Sequence, residues 1–190
     1  MRTFIAIDLL QETKDKLSRL QARLEKSGAD VKWIAPMHMH LTLKFLGEID
    51  EDKSIKIAGI IEDTAKKSQQ FRLGLSSLSA FPKMESPRII WVGVGKGNKE
   101  ATELAQELEA RTVKLGIPKE ERPFSAHITI GRVSSPLNKE KLVKALKEAE
   151  NYFGGESTAF AVTQITLFKS TLGSGGPIYE PLQEAKLTTT

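Results

Sequence analysis

One short pattern occurs twice in this sequence and constrains the fold more than any other feature. Residues 39–47 read MHLTLKFLG and residues 126–132 read AHITIGR, so a histidine followed two positions later by a threonine recurs 87 residues further along. The chain holds three histidines, and two of them occupy this repeated frame. Both runs alternate apolar and polar residues, which is typical of β-strands. Two strands with the same polar pair indicate two related halves.

The elements around the two strands follow one order in both halves, at a spacing of 85 to 87 residues. Any α+β chain of this length alternates helices and strands, so only the doubled His-x-Thr match exceeds chance. We nevertheless expect an α+β fold in one bilobal domain over 1–190, built from an internal duplication of about 1–84 and 85–170 and ended by a loop and strand over about 171–187. Periodicity and turn residues predict strands at 3–9, 31–34, 39–47, 71–81 (ended by Pro82), 88–94, 125–132 and 159–168, and helices at 11–27, 51–67, 99–115 and 138–150.

Composition narrows the class of protein. The chain has no cysteine, which excludes disulfides, thiol catalysis and cysteine-ligated zinc, and which fits a reducing compartment. It shows no secretory signal pattern, and no apolar run approaches the ~20 residues that span a bilayer. We therefore expect a cytoplasmic protein without a membrane segment, and a monomer as the simplest state. A net charge of +4 favours a polyanionic partner without identifying it.

The repeated pair has a defined geometry within a strand. Residues two positions apart share one face, so His40 points the same way as Thr42, and His127 the same way as Thr129. If a pseudo-two-fold axis relates the halves, the two polar faces meet across a cleft. Two imidazoles, one charged and one neutral, supply an acid and a base near neutral pH, while hydroxyls hold phosphate oxygens without adding charge. This set suits displacement at a phosphodiester without a metal.

A metal site is the other functional interpretation of the histidines. His38 and His40 would share a strand face, and a third imidazole would complete a set that zinc accepts. Against this, the position equivalent to His38 in the second half is Ser125, and neither half adds a carboxylate at ligand spacing. We therefore predict no metal and no other cofactor, with His38 at the cleft rim or in a structural role.

Four segments together resemble a known family: RTFIAIDL, HLTLKFLG, HITIGR and KSTL…GPIYE. They are similar to the two-histidine (2H) phosphoesterases, specifically to the RNA 2′,3′-cyclic phosphodiesterases once named 2′-5′ RNA ligases, over about residues 2–183. The resemblance implies a bilobal fold whose cleft is lined by both motifs. It also implies metal-independent hydrolysis of 2′,3′-cyclic phosphates, on RNA ends or small cyclic nucleotides, to 2′-phosphomonoesters.

The resemblance also assigns roles to the repeated residues. His40 would be the proton donor, His127 the proton acceptor, and Thr42 and Thr129 would bind the phosphate. Because the two motifs are alike, the sequence does not decide which histidine is the acid. Ligation of 2′-5′ RNA as the main activity, and a non-catalytic RNA-binding module, stay open as alternatives.

Four further side chains are candidates for substrate contact: Lys44, Arg122, Phe124 and Arg132. Strand alternation favours Lys44, on the face of His40, and disfavours Arg132 unless Gly131 breaks the alternation. Aromatic rings stack on RNA bases; we expect this of Phe124, and core packing of Trp33 and Phe45.

Overall fold

The computed structural model describes residues 1–154, 158–174 and 176–189. Within these ranges the chain forms four helices and ten strands, with a single 3₁₀ turn at Pro36–His38. In chain order the elements are β1 (Arg2–Asp8), α1 (Gln11–Glu25), β2 (Val31–Trp33), β3 (His40–Glu48), α2 (Glu51–Lys66), β4 (Phe71–Leu73), β5 (Leu75–Lys83), β6 (Ser86–Val94), α3 (Asn98–Val113), β7 (His127–Val133), α4 (Lys139–Glu148), β8 (Phe160–Val162), β9 (Gln164–Gly173) and β10 (Gly176–Lys186).

The long strands form two four-stranded antiparallel sheets. Sheet A has the order β10-β9-β1-β3, and sheet B has the order β2-β7-β6-β5. The short strands β4 and β8 pair separately. The expected α+β architecture of two similar antiparallel sheets with flanking helices is confirmed.

Each sheet combines strands from both halves of the sequence. Sheet A takes β1 and β3 from the first half and β9 and β10 from the end of the chain, whereas sheet B takes β6 and β7 together with β2 and β5 from the first half. The third long strand of each half therefore pairs in the sheet of the other half. The predicted boundary near residue 84 consequently does not separate the two lobes in space.

The helices bury one apolar stripe each. In α1 the leucines at helical spacing, Leu17, Leu20 and Leu24, are fully buried, and each stabilises the fold by about 1.5–3 kcal/mol relative to exposure. Helix α2 begins where the side chain of Asp50 accepts a hydrogen bond from the amide of Lys53 at 2.7 Å. Helices α2 and α3 pack side by side against sheet A, and α1 contacts α4. Of the helices in the described ranges, none is both long and apolar enough to span a bilayer.

Two predicted strands differ from the structure in both number and extent. The region 71–81 forms two strands, β4 and β5, and β5 continues past Pro82 because it lies at the edge of sheet B, where the missing N–H of proline breaks no ladder bond. The region 159–168 likewise divides into β8 and β9. Strand β9 runs on to Gly173, so most of the expected glycine-rich loop is strand; Gly175 lies outside the described residues.

Candidate active site

The two His-x-Thr motifs lie at the start of neighbouring strands from different sheets. His40 is the first residue of β3 and His127 the first residue of β7. The Cα atoms of these strands come within 8 Å of each other, so the sheets meet along them. His40, Thr42, His127 and Thr129 are all half-buried, while the residues between them are buried. The alternation predicted from the sequence thus holds through both motifs.

Both histidine rings are oriented by the same backbone contact. The Nδ1 atom of His40 lies 2.7 Å from the carbonyl oxygen of His38, and Nδ1 of His127 lies 2.7 Å from the carbonyl oxygen of Ser125. A carbonyl oxygen only accepts, so Nδ1 is the donor in each ring. In the neutral ring, Nε2 is therefore left as the basic nitrogen, and in the charged ring it carries the transferable proton.

An aromatic cluster surrounds the ring of His40 in sheet A. The ring of Phe4 stacks on it at 4.8 Å between centroids, and Tyr179 meets it edge-on at 5.4 Å. Phe168 stacks on the far side of Phe4 at 5.3 Å. Rings from β1 and β10 thus contact His40 directly, and a ring from β9 packs behind that of Phe4.

A second aromatic cluster surrounds His127 in sheet B. Phe81 and Trp91 stack on each other at 5.0 Å, and their rings meet His127 edge-on at 5.7 and 5.8 Å. Sequence reasoning missed both clusters. The available signal was that Phe4, Phe81 and Trp91 fall on predicted strands, although the sequence does not show how these strands are arranged around the motifs.

Burial sets the ionisation of His40. Loss of solvent around the ring lowers its pKa below the ordinary value of 6.5, against the opposing effects of the His38 carbonyl and the charge of Asp8. Lys14, which pairs with Asp8 at 2.8 Å, adds to the lowering. The free protein therefore favours the neutral form of His40, with Nε2 unprotonated.

A β-bulge in β3 changes which residues follow the motif on its polar face. Ala6 and Ile5 are adjacent in β1, and they pair with Thr42 and Lys44 of β3. Leu43 between them is therefore an extra residue, and it breaks the alternation of side chains. Lys44 consequently points away from the face of Thr42 and is buried, with its Nζ atom 2.6 Å from Glu109. The prediction of Lys44 as a substrate contact is therefore corrected. Phe45, predicted to be in the core, is 58% exposed instead.

The same bulge occurs in β7, 87 residues later. Trp91 pairs with Thr129 and its neighbour Ile90 pairs with Gly131, which leaves Ile130 as the extra residue. Arg132 thereby lies on the polar face of the motif and is exposed. Strand alternation alone disfavoured this position, and a break in the alternation near Gly131 permits it. Burial raises the pKa of the Tyr179 phenol, and the positive charge of Arg132 opposes that shift. Arg132 of sheet B thus acts on Tyr179 of sheet A.

The other candidate residues lie further out. Arg122 is exposed in a bend before β7, and Phe124 is half-buried and packs against the core. Trp33 also packs against the core, as predicted, and fills the space above Gly131, where a Cβ atom would lie 2.9 Å from its ring.

His38 lies in the 3₁₀ turn before β3, not in the strand. Its ring meets Tyr179 edge-on at 5.0 Å, and its carbonyl orients His40. The shared strand face that suggested a His38–His40 metal pair is therefore absent. Across residues 1–154, 158–174 and 176–189, no three His, Asp or Glu side chains form a group able to hold a metal ion.

A groove of about 650 Å³ opens beside His40, between the 3₁₀ turn and the hairpin of β9 and β10. Its walls include Met37, His38, Phe168, Ile178 and Tyr179, and two carboxylates, Asp8 and Glu184, lie at its edge. The lining is mostly apolar and does not include His127. The groove therefore extends the site on the side of sheet A.

Comparison with known proteins agrees with this arrangement. The model of the LigT like phosphoesterase family matches residues 7–91 and, a second time, residues 92–179. This chain belongs to the LigT like phosphoesterase family. The resemblance found in the sequence is thereby confirmed. Each family match contains one His-x-Thr motif, which supports the proposed internal duplication.

Individual members of the LigT like phosphoesterase family resemble the chain over almost its full length. An RNA 2′,3′-cyclic phosphodiesterase of Methanothermobacter thermautotrophicus is 32% identical over 187 residues, covering 98% of this chain and 99% of the relative. Another of that name, from Methanocaldococcus jannaschii, is 34% identical over 184 residues, covering 97% and 99%. The crystal structure of Escherichia coli LigT with 3′-AMP has a TM-score of 0.78 at 27% identity, covering 98% of each chain. The predicted fold is confirmed.

Proposed function

We propose that this chain hydrolyses 2′,3′-cyclic phosphates, on RNA ends or small nucleotides, to 2′-phosphomonoesters by paired histidine acid–base catalysis without a metal. One observation carries the proposal. Two histidines on adjoining strands are held in the same way, each with Nδ1 bound to a carbonyl and Nε2 left to move a proton. The relatives named RNA 2′,3′-cyclic phosphodiesterases support the choice of substrate.

The proposed reaction is one displacement at phosphorus. Nε2 of His127 accepts a proton from water as the water oxygen forms a bond to phosphorus. The bond between phosphorus and the 3′-oxygen breaks, and the protonated Nε2 of His40 donates a proton to that oxygen. The product is a 2′-phosphomonoester with a free 3′-hydroxyl. The hydroxyls of Thr42 and Thr129 donate to the non-bridging oxygens throughout.

For His40 to act as the proton donor, binding of the substrate must favour the protonated form of its ring. Burial lowers the pKa of the ring in the free protein, which favours the neutral form. A bound phosphate brings a negative charge next to the imidazole, and an opposite charge raises the pKa of a histidine. His40 would thus acquire its proton together with the substrate.

We assign to Arg132 the role of supplying positive charge near the phosphate. It follows the second motif on the polar face of β7 and its charge acts on Tyr179, which contacts His40. A guanidinium stabilises the phosphate oxygens as charge develops on them. Arg122 and Phe124 are retained as outer contacts to a longer RNA strand. A monomeric cytoplasmic enzyme remains our expectation.

Incubation of the purified protein with 2′,3′-cyclic AMP in excess EDTA tests the proposal. We expect full turnover in EDTA, and unchanged turnover when Zn²⁺ is added. Loss of activity in EDTA with recovery on Zn²⁺ would contradict the metal-free mechanism. Intact substrate beside tight retention of RNA on a filter would instead identify a binding module without catalysis.

A further inference from the structure

An ion-pair network around the buried Lys44 connects β3 with the segment that precedes β7, and the side chains of its partners Glu109 and Glu120 are 20% and 50% exposed. The side chain of Lys44 is 1% exposed, and its Nζ atom donates to the carbonyl of Pro118 at 2.8 Å. The same atom lies 2.6 Å from a carboxylate oxygen of Glu109 and 3.5 Å from one of Glu120. An ammonium group has three N–H donors, so these three acceptors match it in number. Lys44 thus bridges two separate parts of the chain.

The acceptors belong to helix α3 and to the loop that leads from it to β7. The second carboxylate oxygen of Glu109 accepts a hydrogen bond from the amide of Glu120 at 2.8 Å, so one helix residue binds both Lys44 and the loop. The loop then continues to Ser125, whose carbonyl orients Nδ1 of His127. Contacts therefore run from the first motif strand to Glu120, and the backbone connects Glu120 to the carbonyl that orients the ring of His127.

The strand β7 has a related attachment at its own bulge. Nε2 of Gln21 in α1 donates to the carbonyls of Ile34 and Ile130, both at 2.8 Å, and Ile130 is the extra residue of the bulge. Each histidine-bearing strand is thus held at its bulge by a helix from the other half of the sequence. For β3 the attachment is Lys44 to Glu109, and for β7 it is Gln21 to a backbone carbonyl.

A buried lysine is an expensive way to stabilise a core. Removing the ammonium group from water costs free energy, and apolar replacements of buried ion pairs are often neutral or stabilising. What the ion pair adds is a fixed geometry. We infer that Lys44 is a positioning residue, which acts through Glu109 and Glu120 to fix the loop whose Ser125 carbonyl orients the ring of His127. The catalytic consequence rests on the proposed function.

The test combines ring NMR with kinetics on Lys44→Met in the full-length protein. Nitrogen-15 spectra of the imidazoles report the tautomer of each histidine without any turnover. We expect His127 to change from the single Nδ1–H tautomer to a mixture of the Nδ1–H and Nε2–H tautomers, while His40 keeps its single tautomer. With 2′,3′-cyclic AMP, kcat should fall by up to about 10²-fold, the cost of a misplacement of ~1 Å, while KM stays within about threefold.

A second ion pair on the same helix provides the matched control. Arg111 in α3 lies 3.1 Å from Asp63 in α2 and also donates to the carbonyl of Ile60 and the hydroxyl of Thr64, both in α2. Asp63→Asn should therefore leave both tautomers and kcat as in the wild type. If Lys44→Met does not fold, the double variant Lys44→Met/Glu109→Gln removes both charges of the closest pair and takes its place.

Two results would overturn the inference. One is an unchanged His127 tautomer in the folded Lys44 variant, and the other is an equal loss of kcat in Asp63→Asn. Failure of the proposed function would look different, because the wild type would then leave 2′,3′-cyclic AMP intact while the tautomer of His127 still responded to Lys44→Met.

Discussion

The Nδ1 atom of His127 lies 2.7 Å from the carbonyl oxygen of Ser125, and the ring of His40 repeats this contact with His38. The shared geometry fixes the protonated nitrogen of each neutral ring and leaves Nε2 for proton transfer. Two rings prepared in the same way, one per motif, are the structural basis for assigning an acid and a base.

Replacement of either histidine by asparagine separates orientation from catalysis. An asparagine amide reaches about as far as Nδ1, so it keeps a donor to the carbonyl but has no group in place of Nε2. We expect His40→Asn and His127→Asn to fold normally and to lose about 10²–10⁴-fold in kcat, the usual contribution of general acid–base groups. Steady-state kinetics and thermal melts measure this. Activity within tenfold of the wild type in both variants would exclude paired acid–base chemistry.

The ring of Tyr179 lies edge-on to that of His40 at 5.4 Å, so we expect it to contribute to the burial of the imidazole. Because burial lowers the pKa of His40, exposing the imidazole should raise it toward its ordinary value of 6.5. Tyr179→Ala is therefore expected to raise the pKa of His40, whereas Tyr179→Phe, which keeps the ring contacts, should leave it unchanged. NMR titration of the His40 imidazole in the two variants measures this difference. Addition of 2′-AMP to the wild type should also raise this pKa, and no rise would transfer the proton-donor role to His127.

Gly131 provides space for Trp33 at the bulge of β7. A Cβ atom at this position would lie 2.9 Å from the indole of Trp33 and 2.9 Å from a methyl of Val31. Gly131→Ala should destabilise the fold by about 1–3 kcal/mol through overpacking. Gly59→Ala is the control, since nothing lies within 4 Å of a Cβ there and the exposed helical site should gain about 0.5–1 kcal/mol. Urea unfolding measures both, and equal effects would contradict the close packing at the bulge.

The pair between Lys44 and Glu109 should make stability depend on acid pH. Burial acts to raise the pKa of Glu109, but hydrogen bonds from Lys44 and the amide of Glu120 outweigh it and lower the pKa below the ordinary 4.5. A carboxylate with a lowered pKa stabilises the fold above pH 4.5 and loses this contribution as pH falls through its folded value. Glu109→Gln should therefore lower the free energy of unfolding by about 1–3 kcal/mol at pH 7 and by much less at pH 3. A difference that is the same at both pH values would argue against an ionised pair.

Sequence patterns were sufficient for the four helices and for the two motifs, but not for the division of 71–81 and 159–168 into two strands each. The His-x-Thr repeat and the leucine spacing of α1 depend on local periodicity, which the chain shows directly. The bulges at Leu43 and Ile130 are not visible in the alternation, because an extra residue is defined only by the register against β1 and β6. The bulge at Leu43 accounts for the error on Lys44 and for the exposure of Phe45, and the bulge at Ile130 accounts for the position of Arg132.

The aromatic surroundings of His40 could not be predicted from the sequence, for a different reason. Tyr179 lies more than 130 residues from His40 along the chain and reaches it only because β9 and β10 pair in the sheet that contains β1 and β3. Local periodicity carries no information on which strands pair. The exchange of β5 and β9 between the sheets follows from tertiary packing of the whole domain.

Phosphorus NMR of the product from an oligonucleotide that ends in a 2′,3′-cyclic phosphate tests the central claim most directly. With the protein in EDTA, we predict that the cyclic phosphate signal disappears and that a single 2′-phosphomonoester signal replaces it, while His40→Asn and His127→Asn leave the substrate in place. A 3′-phosphomonoester, or a cyclic phosphate that survives incubation with the wild type, would contradict the proposed chemistry.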